Sequence, residues 1–162
     1  MLKSELMRAA IVAHNPFFRE NPDRLEVYVT KGRVHSTGRP SPSFAYAYEL
    51  NVLAMEFPGS LDDLTIPILS WAVEHQPDLL FNKEKREKGI SFDADILDNN
   101  TADILYVIDA SELVIVSRDE AGRLTGEHRD EPRHFEFEPG NTWSTLLVAD
   151  ASGKAETLRG AE

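Results

Sequence analysis

The chain has 162 residues, no cysteine, and a formal net charge of −11 from 17 basic and 28 acidic residues. Its length and its 41% hydrophobic content fit one soluble globular domain and exclude a disordered protein. The absence of cysteine excludes disulfides, thiolate zinc sites and cysteine nucleophiles, and the acidic charge argues against binding to a nucleic-acid backbone.

The opening segment predicts a helix of three to four turns that ends before Pro16, because its apolar residues recur at helical spacing. Those residues are Leu2, Leu6, Ala9, Ala10 and Ala13. The same segment carries charges where a signal peptide needs an apolar stretch, and the chain has no run of eighteen apolar residues. We therefore expect a protein made to stay in the cytoplasm, without a membrane as partner.

A short strand is predicted next, since Leu25, Val27 and Val29 alternate with polar neighbours. The pair Lys31-Gly32 indicates a tight turn. The polar stretch from Gly38 to Pro42 then indicates a loop.

The segment from Ser43 to Phe57 predicts an unusually long strand. Its core-facing residues alternate at period two, and they are Phe44, Tyr46, Tyr48, Leu50 and Val52. The other face is small or polar at its start and apolar at its end, from Ala45 and Glu49 to Leu53 and Met55. This pattern indicates that a second surface, such as a partner chain, covers only one end of the strand.

Pro58-Gly59 ends this strand, and a second helix follows with Ser60 as its cap and two aspartates in its first turn. Because Pro67 lacks an N–H, the regular helix is expected to begin near Thr65 or to be kinked. Its predicted buried stripe consists of Leu64, Ile68, Trp71, Ala72 and His75. The helix should end before Pro77.

The charge run NKEKREKG predicts a solvated bridge to a strand at residues 90–96, where apolar and polar residues alternate. One or two further strands are predicted over residues 104–116, with a division near Asp109. Strand pairs of the hairpin type dominate, so we expect an α+β fold with a mostly antiparallel sheet packed with two main helices. We divide the chain into a domain at residues 1–118 and a C-terminal extension, arm or late hairpin at residues 119–162.

Three segments carry a family resemblance, namely NPDRLEVYV, SFAYAYELNVLAMEFPGSLDDLTIPILSWAVEHQPDLL and KGISFDADILDNNTADILYVI. With Pro67 and the W-x4-Q-P-D arrangement of residues 71–78, they resemble the tail completion protein R family of contractile-tailed bacteriophages. The resemblance covers residues 1–118 and consists of fold signatures, so it names no catalytic residue.

The resemblance implies a ring-forming, tail-terminator-like structural subunit that is not an enzyme. Such a subunit caps the head-proximal end of the tail tube, ends tail polymerisation and provides a surface for head-tail joining. The implied partners are other copies in a six-fold ring and the tube, sheath and neck (head-tail connector) proteins, with DNA only a passing neighbour in the lumen. The implied location is the virion tail, after assembly in the host cytoplasm, and a headless tail-like particle would need the same function.

Two alternative functions are an assembly chaperone absent from the mature particle and a small metal-dependent hydrolase. The hydrolase depends on Asp93, Asp95, Asp98 and Asp103, because hard cations bind clustered carboxylates. A calcium loop of the EF-hand type fails, since Ile104 occupies the position of its twelfth residue, a bidentate Glu. Strand parity places Asp93 and Asp95 on the wet face, so we expect no metal and no other cofactor.

The histidines indicate no catalytic site. His128 and His134 have no other strong ligand nearby and are expected at the surface. His75 near the end of the second helix interacts favourably with the helix terminus when it is protonated.

The remaining candidates also predict no chemistry. Three serines lack the G-x-S-x-G context of a nucleophile, and they are Ser36, Ser41 and Ser43. Basic patches at residues 31–33 and 83–88 have no interleaved aromatic residues, so they indicate solvated turns rather than nucleic-acid contacts.

Overall fold

The computed structural model describes residues 2–36, 38, 42–97 and 100–130, and the backbone of two strands at residues 145–149 and 155–159. The helices are α1 (Leu2–His14), α2 (Pro16–Glu20), α3 (Asp62–His75), α4 (Asp78–Phe81) and α5 (Lys83–Lys88), with a 3-10 turn at Pro22–Arg24. The strands are β1 (Leu25–Ser36), β2 (Phe44–Phe57), β3 (Ile90–Ile96), β4 (Ala102–Arg118), β5 (Leu124–Arg129), β6 (Thr145–Ala149) and β7 (Ala155–Arg159). With 13 and 14 residues, α1 and α3 are the two main helices that the sequence predicts.

The main sheet is antiparallel throughout, with the strand order β1-β2-β4-β3. β5 pairs with the C-terminal half of β4. Because β2 occupies one edge of β4 along both halves, β3 and β5 lie end to end on its other edge. β6 and β7 form a separate antiparallel pair. The α+β class and the mostly antiparallel sheet are therefore confirmed.

The core lies between one face of this sheet and the helices α1 and α3. The predicted phase of β2 is confirmed, since Tyr48, Leu50 and Val52 are buried, although Phe44 and Tyr46 are only half-buried. A bulge near the end of β2, where Glu56 has a φ of 49°, shifts the register and turns Phe57 into the core. We call the helix-covered side of the sheet the inner face and the other side the outer face.

The helix predicted before Pro16 is confirmed, since α1 covers 13 residues and ends at His14. Lys3, Met7 and Ile11 are buried at successive helical turns, whereas Ala9 and Ala13 are exposed. Sequence reasoning did not single out Lys3, because a lysine is rarely buried. Lys3 belongs in this interior since its ammonium group has a hydrogen-bond partner there.

The prediction of a tight turn at Lys31-Gly32 is wrong, because β1 continues through these residues to Ser36. The register shifts between Thr30 and Arg33, and Lys31 has a φ of 51°. The two residues form a β-bulge, in which the extra residue is absorbed without reversal of the chain. Of the predicted loop, Gly38 and Pro42 are described, and residues 39–41 lie outside the described residues.

Helix α3 begins at Asp62 and continues through Pro67, so of the two predicted alternatives the start near Thr65 is wrong and the kink stays a prediction. The Ser60 hydroxyl accepts a hydrogen bond from the Asp62 N–H at 3.2 Å, and an Asp63 carboxylate oxygen accepts one from the Ser60 N–H at 2.9 Å. This reciprocal cap stabilises the first turn, and Pro67 is buried inside the helix one turn later. The predicted stripe is confirmed at Leu64, Ile68, Trp71 and Ala72, and the predicted end before Pro77 is confirmed.

The segment from α5 to β4 differs from the prediction in three respects. The charge run contains the short helix α5, and β4 is a single strand of 17 residues without a division near Asp109. The strand β3 occurs where predicted, but only Ile90 of its large apolar residues is half-buried as expected, whereas Phe92 is 56% exposed and Ile96 is 76% exposed. The reason is its place at the edge of the sheet, beyond the area that α1 and α3 cover.

The predicted division at Arg118 stays a prediction. The strand β5 lies beyond it and pairs with β4, and the pair β6-β7 has the form of a late hairpin. Among the described residues, none of the helices is long and apolar enough to cross a membrane.

Candidate assembly surfaces and buried polar network

A buried carboxylate on β4 joins four parts of the fold. The side chain of Glu112, only 1% exposed, accepts hydrogen bonds from the Tyr48 hydroxyl on β2 and from the Lys3 backbone N–H of α1 at 3.1 Å. Its second oxygen lies 2.6 Å from Nδ1 of His128 on β5. Glu112 therefore connects the first helix, the centre of the sheet and its last described strand.

These contacts keep the carboxylate ionised. Burial alone would raise the pKa of Glu112, but the hydrogen bonds from Tyr48, the Lys3 N–H and His128 outweigh burial and hold that pKa below its ordinary value. Burial, and then the hydrogen bond to Glu112, raises the pKa of the Tyr48 phenol. A carboxylate with a lowered pKa and occupied oxygens is a weak base, so this arrangement fixes packing and is not built for proton transfer.

Gln76 fills the gap that β3 and β5 leave along the edge of β4. Its Oε1 accepts hydrogen bonds from the Ser111 N–H at 3.1 Å and from the Lys3 ammonium at 2.7 Å. Its Nε2 donates to the Asp78 carboxylate at 2.6 Å and to the Ser111 hydroxyl at 3.2 Å. The side chain thus satisfies a buried strand edge and a buried lysine at once.

Asp78 extends this network to α5, where it accepts a hydrogen bond from Lys85. Burial would raise the pKa of Asp78, yet the hydrogen bonds from Lys85 and Gln76 lower it overall. The residues of the Q-P-D sequence are therefore structural: Gln76 holds the sheet edge, and Asp78 ties the end of α3 to α5.

The outer face of the sheet carries no helix among the described residues. Its apolar end contains Leu53, Leu105 and Val107, which are half-buried. The polar end contains Glu49 and Asp109, which face each other across β2 and β4. The uneven second face predicted for β2 is thus present, and within the described part of the chain no helix packs on it.

Comparison with known proteins decides the family. The family described as P2 phage tail completion protein R (GpR) matches residues 1–132, about four fifths of the 162-residue chain. The chain belongs to the tail completion protein R family. It is also 37% identical over 117 residues to the tail completion protein R of Escherichia phage P2, covering 72% of this chain and 76% of that relative. No solved structure matches the chain.

Family membership identifies a structural protein of phage tails, as the resemblance implies. The match also extends past Arg118, where the resemblance was drawn to end, and it includes β5.

Of the acidic residues considered for a metal site, Asp95 and Asp103 are opposite each other on β3 and β4 of this tail completion protein. Asp93 and Asp95 are exposed on the outer face of β3, and Asp98 lies outside the described residues. Asp103 accepts a hydrogen bond from the Glu56 N–H at 2.7 Å. Among the described residues, no three His, Asp or Glu side chains are placed to hold a metal ion.

The histidines have structural contacts. His128 lies at the surface as predicted, and its ring also contacts Glu112 through Nδ1 at 2.6 Å and stacks on Tyr46 with centroids 6.4 Å apart. His75 lies 3.3 Å from an Asp130 oxygen and against Trp71. His134 lies outside the described residues.

The serines and basic patches have local roles. The Ser36 hydroxyl accepts from the Gly38 N–H at 3.3 Å, and that of Ser43 accepts from the Val116 N–H at 3.0 Å. Ser41 lies outside the described residues. Both basic patches are solvent-exposed as predicted, but neither is a turn, since the first is a bulge in β1 and the second is α5.

Sequence reasoning missed Lys3 and Glu112, which carry the buried network. The missed signal is parity: Ile104, Tyr106 and Ile108 alternate along β4, and position 112 continues the same face. Dividing the segment near Asp109 hid this continuity.

Proposed function

We propose that this tail completion protein forms a six-fold ring that caps the head-proximal end of the tail tube, ends tail polymerisation and provides the surface for head-tail joining. Membership of the tail completion protein R family carries the proposal. Its partners are other copies of the chain, the tube and sheath, and the neck proteins, with DNA only passing through the lumen.

The two faces of the sheet support an assembly role. The inner face is closed by α1 and α3, whereas the outer face presents Leu53, Leu105 and Val107 beside charged residues. Partly exposed apolar side chains on an otherwise polar sheet are typical of surfaces that contact another protein.

The polar network supports a role in shape rather than chemistry. Its central carboxylate is 1% exposed, accepts hydrogen bonds on both oxygens and has a lowered pKa. We therefore propose no substrate, metal or cofactor for this protein.

Inactivating the gene in the producing strain tests the capping function. We expect particles with overlong tails or tails without heads, and expression of the wild-type chain from a plasmid should restore normal length. Tail length and head attachment are measured by negative-stain electron microscopy. Tails of normal length joined to heads would contradict the proposal.

The copy number separates a ring from an assembly chaperone. Quantitative mass spectrometry of purified particles should find about six copies per tail, as a single six-fold ring requires. Particles that lack the chain would instead favour the chaperone. Labelling the chain with gold should mark one end of each tail, and if heads are present that end should be the one that joins them.

A further inference from the structure

Two edges of the sheet carry opposite charge. Among the described residues, β1 pairs only with β2 and β3 pairs only with β4, so each strand keeps one edge outside the sheet. The second half of β1 exposes Lys31 and Arg33, in a chain whose net charge is −11. β3 exposes Asp93 and Asp95.

The same edge strands expose apolar side chains on their other face. Val34 of β1 is 66% exposed, Phe92 of β3 is 56% exposed, and Ile96 is 76% exposed. Strand edges with exposed apolar residues pair readily with another chain, so a soluble protein carries them at a cost unless a partner covers them.

The two edges match face by face. Arg33 lies on the outer face, opposite Ala47, and Asp93 lies on the outer face, opposite Leu105. Val34 and Phe92 both lie on the inner face, since their partners in the sheet are Tyr46 and Tyr106. A sheet that continues from one copy into the next therefore brings opposite charges together on one face and apolar side chains together on the other.

We propose that β1 of one copy pairs with β3 of the next copy, antiparallel and with Arg33 opposite Asp93. Val34 then lies opposite Phe92. Lys31, which is in the bulge of β1 and forms an ion pair with Glu49 at 3.0 Å, lies at the same end of the contact as Asp95. The direction follows from the sheet, because β1 and β3 run in opposite directions within one copy. This inference rests on the ring proposed above and specifies how its subunits join.

Charge selects this register. A continuation without stagger would place Glu26 opposite Asp93, because both lie in one row across the sheet with Leu53 and Leu105. Two like charges in that position repel. The register with Arg33 shifts β1 along β3 by about six residues, or roughly 20 Å. Closing a sheet on itself requires such a stagger.

Charge also selects the kind of contact. A contact between two β1 edges would place the lysine and arginine side chains of both copies opposite each other. A contact between two β3 edges would do the same with aspartates. Of the three contacts that these two edges can make, the head-to-tail contact of β1 with β3 is the one that pairs unlike charges. A repeated head-to-tail contact closes into a ring when its rotation closes.

Charge reversal tests the pairing in the full-length chain. One variant carries Lys31→Asp and Arg33→Asp, a second carries Asp93→Lys and Asp95→Lys, and a third carries all four changes. We expect each pair of changes to weaken self-association about tenfold, and the third variant to recover it to within about threefold. Native mass spectrometry and mass photometry at micromolar concentration measure the populations of monomers and oligomers.

A variant with Glu20→Lys and Glu120→Lys is the matched control, since it changes the net charge as much as the second variant does but lies outside β1 and β3. It should associate like the wild type. Equal weakening by this control, or no recovery in the third variant, would overturn the pairing.

Single cysteines test the register, because the chain has none of its own. Mixing Arg33→Cys chains with Asp93→Cys chains should give a cross-linked dimer by oxidation or with a short bis-maleimide, in solution or in tails assembled from them. Neither variant alone should cross-link. The mixture of Glu26→Cys with Asp93→Cys tests the register without stagger and should also give none.

The outcomes distinguish the two proposals. Cross-links of Asp93→Cys chains with each other, or in the mixture of Glu26→Cys with Asp93→Cys, would show that the copies join through a different contact. Rings or tail caps that form without the 33–93 cross-link overturn the edge pairing and leave the proposed function standing. Normal tails without the protein would overturn the proposed function itself.

Discussion

The Glu112 side chain is bonded to residues of α1, β2 and β5, so its replacement should destabilise the fold. Replacing it by Gln keeps its shape but removes the charge that accepts hydrogen bonds from Tyr48, Lys3 and His128. We expect Glu112→Gln to lower the free energy of unfolding by about 1–3 kcal/mol, measured by urea denaturation. Glu127→Gln is the control, because that side chain is 71% exposed, and it should change stability by less than about 0.5 kcal/mol.

The same carboxylate predicts how stability depends on pH. Its pKa is lower in the folded than in the unfolded chain, so its contribution is complete above the ordinary value of 4.5 and is lost as pH falls through the folded value. Glu112→Gln should therefore lose less stability than the wild type below about pH 4.5. The free energy of unfolding of both proteins is measured by urea titration at several pH values. The same dependence on pH in the variant and the wild type would contradict this assignment.

Between elements, the junction of α5 with β3 depends on close approach at Gly89. A Cβ there would lie 2.5 Å from a Leu79 methyl carbon and 2.7 Å from the Lys85 carbonyl oxygen. Since neither the backbone nor the buried leucine can yield freely, Gly89→Ala should destabilise the fold by about 1–3 kcal/mol. Gly32→Ala is the control, because its nearest neighbour would be the Tyr48 Cβ at 4.0 Å. Thermal unfolding of both variants and the wild type tests this prediction. Equal unfolding midpoints for the two variants would contradict the close packing at Gly89.

The gap between β3 and β5 along the edge of β4 is filled by a side chain. β4 is bordered by β3 at residues 102–108 and by β5 at residues 113–118, and Gln76 supplies the missing hydrogen bond between them. Lys3 and Asp78 bond to the same side chain, so α1, α3 and the sheet edge are joined at one point.

For the whole molecule, the charge of −11 predicts weak contact with DNA. Binding to a phosphate backbone depends on clustered basic residues, so a 30-base-pair fluorescent duplex should show no binding at micromolar protein in 150 mM salt. Fluorescence anisotropy makes the measurement, and a basic protein that binds duplex DNA without sequence preference serves as the positive control. A dissociation constant below about 1 μM would contradict the view of DNA as a passing neighbour.

The amino-acid sequence by itself determined the elements whose pattern is local. The alternation in β2, the stripe of α3 from Leu64 to Ala72 and the stop at Pro77 each follow from side-chain periodicity or proline geometry, and the structure confirms them. These signals lie within single segments, so they can be read without knowing what packs against the segment.

Only the tertiary structure decided which polar residues are buried and which apolar residues are exposed. Lys3, Gln76 and Glu112 lie far apart in sequence, yet all three are buried, because Lys3 donates to Glu112 through its backbone N–H and to Gln76 through its ammonium group. Phe92 and Ile96 alternate like core residues, yet they are exposed because β3 is the edge of the sheet. Long-range partners and edge position belong to the assembled fold, and neither leaves a periodic trace in the segment itself.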